Sequence, residues 1–320
     1  MKLNRRALVT TAASLLAIPG MSAAQARRQR AIGLLAVDAP GSDLFQRLFR
    51  RDMTNLGFVE GRDVRYLFRV AGADRLDEVA AELVREPVDL LVTWYTPAAL
   101  AAKRATREIP IVMALAGNPV ETGIVTNLQK PDGNITGLSG TSAELGRKCM
   151  ELVREILPDA RVVATLANGR DSFSRPFLEL TRTGGEAVGL ATRPLVIMDP
   201  ERLPEAFDEL VRDRPDALIV QPSLPRKRVA ELALGAHFPA LSVANGFINE
   251  GGLISYAASE PDLSRRAAAI ADRVLKGTPP AQIPIELPSK YSLQVNLKTA
   301  RALGLTIPEQ VLARADELIE

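Results

Sequence analysis

AIGLLAV, residues 31–37, is an uninterrupted apolar run, and the segment from Asp43 to Leu56 that follows it carries its apolar residues at helical spacing. A fully apolar strand is typical of a parallel sheet that is covered on both faces. The alternation continues with predicted strands at 64–70, 89–93 and 109–115 and predicted helices at 74–85 and 97–106. This β-α rhythm predicts a parallel sheet with helices on both sides.

The rhythm restarts in the second half of the chain. Predicted strands lie at 135–138, 161–167, 192–197, 217–220, 240–243 and 253–256, with helices at 141–157, 173–183, 203–213 and 226–234. Two successive α/β units of similar size predict two Rossmann-like lobes. After Lys276, four prolines indicate an extended crossing segment, and helices are expected at 297–303 and 309–319.

The composition excludes several classes of site. The 320 residues are 47% hydrophobic and 24% charged, as expected for a soluble globular protein of two lobes. A single cysteine, Cys149, and a single histidine, His237, exclude intrachain disulfides and Cys- or His-rich metal sites, so neither a metal nor a cofactor is predicted. We interpret Cys149 as a buried apolar residue and His237 as a loop residue. Nucleophile-elbow, P-loop, zincin and dinucleotide-binding motifs are absent from the sequence.

Residues 1–26 have the pattern of a secretory signal peptide. Lys2, Arg5 and Arg6 precede an apolar stretch, and residues 24–26 (Ala-Gln-Ala) form a cleavage site. Arg5-Arg6 is also a weak indication of the twin-arginine route, and an uncleaved N-terminal anchor is the alternative. Cleavage would leave 37 of the 40 basic residues against 38 acidic ones, a net charge near −1. This balance argues against nucleic-acid binding, and we expect a periplasmic protein.

Two of the predicted first-unit strands end in residues suited to starting a helix. Thr96-Pro97 and Asn118-Pro119 each place a capping residue before a proline, beside the small residues Ala98 and Gly117. Since ligands bind beyond the carboxyl ends of parallel strands, exposed helix amides there favour a carboxylate-bearing ligand. The alternative is that these residues only start helices. Trp94 and Tyr95 either cover the apolar part of a ligand or pack within the lobe.

Several segments resemble one protein family. Residues 55–64 (NLGFVEGRDV) are similar to its "LGYVEGQNV" segment, and further matches lie at 76–89, 96–103, 109–112, 133–137, 296–300 and 312–316. The chain resembles the ABC-transporter substrate-binding proteins of the tryptophan/tyrosine-binding type, over nearly all of its mature length. The resemblance implies the type I periplasmic-binding fold, in which two lobes close on a small solute. The chain departs from the family at Asn118, where an aspartate is common, and in the loop 167–172.

The resemblance also implies a division of the chain and a function. We expect one lobe from residues 27–137 plus 258–277 and the other from 138–257 plus 278–320. The expected function is not catalytic: the protein would be a monomer that binds a small solute for an ABC permease in the inner membrane. The expected solute is an amino acid or another carboxylate-bearing compound, aromatic ones included. A periplasmic sensor, and less readily a secreted enzyme, are the alternatives. The expected ligand-binding residues are Asp38, Tyr95, Thr96, Pro97, Ala98, Gly117, Asn118, Asn168, Ser172, Ser223 and Tyr256.

Overall fold

The computed structural model describes residues 28–37, 41–141 and 143–320, apart from the side chain of Ala143. The signal-peptide prediction for residues 1–26 and the predicted site residue Asp38 lie outside the described residues. The first half of the chain alternates five strands with three helices: β1 (Arg30–Val37), α1 (Ser42–Asn55), β2 (Val64–Ala71), α2 (Leu76–Arg85), β3 (Leu90–Trp94), α3 (Thr96–Ala105), β4 (Ile111–Ala116) and β5 (Ile135–Ser139). They form one parallel sheet in the order β2-β1-β3-β4-β5.

The second half builds a larger sheet. Its elements are α4 (Ala143–Ile156), β6 (Val162–Asn168), α5 (Ser174–Ala187), β7 (Ala191–Ile197), α6 (Leu203–Asp213), β8 (Ala217–Val220), α7 (Arg226–Gly235), β9 (Ala240–Ser242), β10 (Ile254–Ala258), α8 (Glu260–Leu275), β11 (Tyr291–Asn296), α9 (Leu297–Ala302), α10 (Glu309–Leu312) and β12 (Glu317–Ile319). The strand order is β12-β11-β10-β9-β8-β6-β7, and only the β10–β11 pair among these is antiparallel.

Apolar side chains cover both faces of each sheet. In the first sheet, α1 covers one face through Phe45, Phe49 and Met53, and α2 and α3 cover the other. In the second sheet, α4 and α5 cover one face and α6 and α7 the other. This two-sided burial is the physical reason that the strands are continuous apolar runs. Cys149 is buried in the second lobe and His237 is exposed with a φ of 57°, as the sequence predicted.

Helix α8 follows a strand of the second sheet but packs on the first. Its residues Leu263, Ala267 and Ala271 are buried in the same cluster as Phe45 and Phe49. We therefore use "first lobe" for the first sheet with α1, α2, α3 and α8, and "second lobe" for the second sheet with the remaining helices. In the described part of the chain, the lobes are joined after Ser139, after Ala258 and before Tyr291.

The tail differs from the prediction in two ways. Residues 283–286 lie beside β5 of the first lobe rather than in the second, because Ile283 and Ile285 are buried there and the Glu286 amide donates to the Gly137 carbonyl at 3.0 Å. This segment covers the edge of the first sheet. The helix predicted at 309–319 is wrong beyond Leu312, since residues 317–319 form β12. The strand Tyr291–Asn296 was not predicted.

Candidate functional site

The carboxyl ends of β1, β3 and β4 face the loops after β6, β8 and β9 across a cavity between the lobes. We call this cavity the cleft. From the first lobe it is lined by Val37, Tyr95, Thr96, Pro97, Leu115 and Gly117. Gly140 and Thr141 line it where the chain crosses, and the second lobe contributes Asp171, Phe173, Pro222, Ser223 and Val243. The cleft thus joins five of the predicted site residues: Tyr95, Thr96, Pro97, Gly117 and Ser223.

The start of α3 differs in detail from its prediction. The N-cap position belongs to Tyr95, whose φ is 72°, and Thr96 is already helical. The Thr96 hydroxyl is buried and accepts a hydrogen bond from the Gly117 amide at 2.8 Å. Thr96 therefore ties α3 to the end of β4 instead of capping its own helix, so its predicted role as an N-cap is wrong.

The first turn of α3 keeps unpaired backbone donors. Pro97 has no amide hydrogen, and the first intrahelical partner is the Ala99 amide, which donates to the Tyr95 carbonyl at 3.2 Å. Among the described residues, the Thr96 and Ala98 amides have no backbone partner. Ala98 is fully buried directly behind Pro97 and does not itself line the cleft. The positive end of the α3 dipole therefore faces the cleft and suits a carboxylate.

Asn118 does not start a helix, and that part of the prediction is wrong. Residues 119–123 form a turn in which the Thr122 amide donates to the Asn118 carbonyl at 3.0 Å. Asn118 has a φ of 36°, and its own amide donates to the Thr141 hydroxyl at 3.0 Å. The amides of Gly117 and Asn118 are both engaged within the protein, so the first lobe offers one helix start to a ligand rather than two. Asn118 lines a neighbouring groove and not the cleft.

Trp94 and Tyr95 take opposite roles. The Trp94 side chain is fully buried and stacks on Phe45, with the ring centroids 4.2 Å apart and the planes 11° from parallel. Tyr95 lines the cleft, and burial raises the pKa of its phenol to about 12 although the Arg226 guanidinium acts in the opposite direction. One aromatic ring therefore belongs to the core of the first lobe, while the other lines the cleft.

The second-lobe wall is a hydrogen-bonded loop that begins at the end of β6. The Asn168 amide donates to the Gln221 Oε1 atom at 2.7 Å, and the Asn168 side chain donates to the Ser223 carbonyl at 3.3 Å. The Gln221 Nε2 atom then donates to Asp171 Oδ2 at 2.9 Å. Asn168 thus supports this loop and does not line the cleft, and Ser172 is exposed outside it.

Asp171 is a buried carboxylate that has no cation beside it. Only 8% of the residue is exposed, and burial raises the pKa of its carboxyl, opposed in part by hydrogen bonds from the Phe173 amide and the Gln221 side chain. Within the described residues it forms no ion pair. Buried carboxylates are ordinarily paired with a cation, and this one retains acceptor capacity on both oxygens. Its position in the cleft suits the ammonium group of a ligand.

Tyr256 lies away from the cleft. Its ring stacks on Tyr291, with centroids 5.6 Å apart, and faces a separate groove beside Lys148 and Arg314. Strand alternation explains the position, because β10 directs Tyr256 toward the face of the sheet that α4 covers. Its predicted place in the ligand site is not supported by this geometry.

The sequence interpretation missed two features of this region. Phe173 and Thr141 line the cleft, although neither follows a strand end directly. Arg226 was not among the predicted site residues, yet it is 3% exposed and donates to Glu250 Oε1 at 3.2 Å and to the Asn245 carbonyl at 3.1 Å. The sequence signal that could have identified Arg226 is its position in the first turn of a helix that follows a buried strand. That position lies at the edge where the lobes meet.

The cleft is small and mostly apolar in this conformation. Tyr95, Leu115, Phe173 and Val243 form its apolar walls around a volume of about 60 Å³. Within the described residues, no His, Cys, Asp and Glu side chains converge as a metal site. A search of the same residues finds no helix with the length and apolarity of a membrane span.

Comparison with known proteins gives the family. The profile of the family described as ABC transporter substrate binding protein matches residues 34–319. A tyrosine-binding protein of Clostridioides difficile (strain R20291) is 28% identical over 290 residues, which cover 87% of this chain and 82% of that protein.

Solved structures share the fold. The ABC domain in complex with L-Trp from Streptococcus pneumonia is 26% identical, with a TM-score of 0.84 over 91% of this chain and all of that one. The ligand-free, open structure of a substrate-binding protein with adhesive properties from Clostridium difficile is 22% identical, with a TM-score of 0.69 over 91% and 99% of the two chains.

The predicted fold class is confirmed, since the two parallel-dominated sheets match those of solved type I periplasmic-binding proteins. Members of this family are solute-binding proteins and not enzymes, and they typically work in the periplasm, outside the cell or as lipoproteins. The profile match spans most of the chain. The chain belongs to the ABC transporter substrate-binding protein family.

Proposed function

We propose that this protein is the periplasmic solute-binding component of an ABC importer and that its ligand carries the head group of an amino acid. The observation that carries the proposal is the unpaired Asp171 carboxylate in the same cleft as the start of α3. A ligand ammonium would neutralise Asp171, and a ligand carboxylate would accept hydrogen bonds from the amides of α3. Each charge of the head group would then meet its complement on a different lobe.

The carboxylate that position 118 lacks in this chain is available elsewhere in the cleft. The family's aspartate at that position is an amide here, but the second lobe supplies a carboxylate from Asp171. The apolar walls formed by Tyr95, Leu115 and Val243 favour an apolar side chain on the ligand. The relatives bound to tyrosine and L-Trp support an amino acid as the ligand class.

Contact with both lobes gives the ligand a way to shift the protein toward a closed form. A ligand held by Asp171 of the second lobe and α3 of the first binds fully only when the lobes are close together. We propose that the closed form, as a monomer, is what an inner-membrane permease recognises. The proposed mature chain begins near Arg27, and mass spectrometry of the exported protein checks that start.

A thermal-shift screen tests the ligand class. The panel holds the standard L-amino acids, aromatic carboxylic acids, sugars and small amines. A ligand at 100 times its Kd adds about 2.7 kcal/mol to the free energy of unfolding, which raises the melting temperature measurably. We expect apolar L-amino acids to raise it. A panel in which only sugars, or only amines, raise it contradicts the proposal.

The importer role needs its own experiment. Deletion of the gene in the native host is expected to abolish uptake of the isotopically labelled amino acid found in the screen, and expression of the wild-type chain to restore it. Restoration by wild type but not by Asp171→Asn would tie uptake to the cleft. Unchanged uptake after deletion, with loss of a transcriptional response to the same amino acid, would instead support a sensor.

A further inference from the structure

Phe173 separates two spaces between the lobes. Its side chain lines both the cleft, with a volume of about 60 Å³, and a groove of about 300 Å³. We call this second space the outer groove; its walls include Asn118, Pro119, Leu128, Pro176, Leu180 and Leu287. Phe173 and Thr141 line both spaces. Phe173 is the larger of these two side chains, and we call its ring the partition.

The ring reaches across to the first lobe and packs directly on the backbone of Gly117. A Cβ atom at position 117 would lie 2.5 Å from Phe173 Cδ2 and 2.6 Å from Cε2, which is closer than real Cβ contacts allow. Gly117 does not have a positive φ, so a left-handed backbone is not the reason for glycine here. The close approach of the Phe173 ring is the reason that the structure supplies.

The partition is linked to the proposed ammonium site. Asp171 Oδ1 accepts a hydrogen bond from the Phe173 amide at 2.9 Å, and Phe173 precedes the first residue of α5. A ligand that binds Asp171 therefore sits beside the residue that fixes the start of this helix. The apolar part of the same ligand must then extend toward the Phe173 ring or stop short of it.

We propose that Phe173 is the specificity-determining residue of the cleft: its ring, seated on Gly117, limits the size of the apolar group that a ligand can carry. The proposal rests on the proposed function and deepens it. With the ring in place, the cleft has a volume of about 60 Å³, whereas the outer groove has about 300 Å³. Removal of the ring joins the cleft to the outer groove and admits larger side chains.

The substitution Phe173→Ala tests this limit with four ligands of graded size. Kd values for L-alanine, L-leucine, L-phenylalanine and L-tryptophan are measured by calorimetry for wild type and variant. The preference for L-tryptophan over L-alanine is expected to rise at least 10-fold in the variant, since filling or blocking a hydrophobic pocket typically changes discrimination about 10–200-fold. An unchanged preference overturns the proposal.

Leu180→Ala is the matched control, because Leu180 lines the outer groove but not the cleft. It enlarges the groove and leaves the partition in place, so its size preference is expected to stay within about 2-fold of wild type. Phe173→Leu keeps part of the apolar contact and serves if the alanine variant unfolds. An intermediate preference supports the size limit, and a wild-type preference in a folded Phe173→Leu protein contradicts it.

Indole separates a failure of this proposal from a failure of the proposed function. Indole has neither a carboxylate nor an ammonium group, so it reports only the space behind the ring. We expect the folded Phe173→Ala variant to bind indole at least 10-fold more tightly than wild type does. This gain without amino-acid binding would overturn the proposed function alone, whereas equal indole affinity in the two proteins would overturn the size limit.

Discussion

The two walls of the cleft are built in different ways. The first-lobe wall presents backbone and small residues, and most of its polar groups bond to one another, as Thr96 does to Gly117 and Thr141 to Asn118. The second-lobe wall presents side chains, with a buried carboxylate at Asp171 and a large ring at Phe173. We propose that the first-lobe wall holds the anionic group of a ligand and that the second-lobe wall determines selectivity.

The largest expected effect is from Asp171→Asn. The substitution keeps the shape of the side chain but removes the charge that the proposed ligand ammonium meets. Loss of one partner of a buried charge pair costs about 2–5 kcal/mol, so calorimetry should show amino-acid affinity falling about 30-fold or more. Asp208→Asn, an exposed second-lobe residue, changes net charge equally and should bind as wild type. Equal affinities for the two variants would mean that the Asp171 carboxylate does not bind the ammonium group of the ligand.

Gly117→Ala should have the next largest effect. The added methyl group would meet the Phe173 ring at 2.5 Å, so the closed lobes must separate or the ring must move. We expect a loss of affinity of about 10–100-fold, together with a larger radius of gyration at saturating ligand in X-ray scattering. Gly235→Ala is the control because no atom lies within 4 Å of its added Cβ. Wild-type affinity in Gly117→Ala would show that the walls need not touch.

A smaller effect is expected from Ala98→Pro in the first-lobe wall. It removes one of the two amides at the start of α3 that have no backbone partner among the described residues. A hydrogen bond to a charged group is worth about 1.5–3 kcal/mol, which predicts at least about a 10-fold loss of affinity for a carboxylate-bearing ligand. Circular dichroism must show that the variant is folded. If a folded variant binds as wild type does, the carboxylate does not lie at α3.

The smallest effect is a dependence of affinity on pH on the acid side of neutral. The pKa of the Asp171 carboxyl is raised by burial, so in the ligand-free protein it takes up a proton above the usual range for aspartate. Because of the raised pKa, the free energy of unfolding of the ligand-free protein falls as pH rises through that pKa. Ligand binding, in contrast, requires the charged form of Asp171. Affinity for an amino acid should therefore fall as pH falls, and Asp171→Asn should show no such fall. A pH-independent wild type would contradict the role given to Asp171.

The sequence predicted the two sheets because apolar runs and helical periodicity are local signals. It also placed Tyr95, Thr96, Pro97 and Gly117 at the cleft, since strand ends of a parallel sheet meet at one edge. It could not show that Thr96 would bond to Gly117, because that contact joins residues 21 positions apart.

The second lobe was harder to predict for the same reason. Phe173 reaches the cleft only because the loop after β6 folds around Asp171 and Gln221, which are 50 positions apart. The prediction for Tyr256 failed because the position of its side chain depends on how β10 pairs with β11. The sequence of the proline-rich tail did not predict the strand β11. Contacts between distant segments, rather than local patterns, therefore decide which side chains line this wall.

The most direct test compares an amino acid with analogues that lack one charge. L-phenylalanine, 3-phenylpropionate and phenethylamine share a ring and chain, as do L-leucine, 4-methylpentanoate and 3-methylbutylamine. For wild type, the amino acid that binds more tightly should have an affinity at least about 30-fold higher than its acid analogue, and Asp171→Asn should lose most of this difference. If wild type binds the acid analogue as tightly as the amino acid, Asp171 does not receive an ammonium group and the account is contradicted.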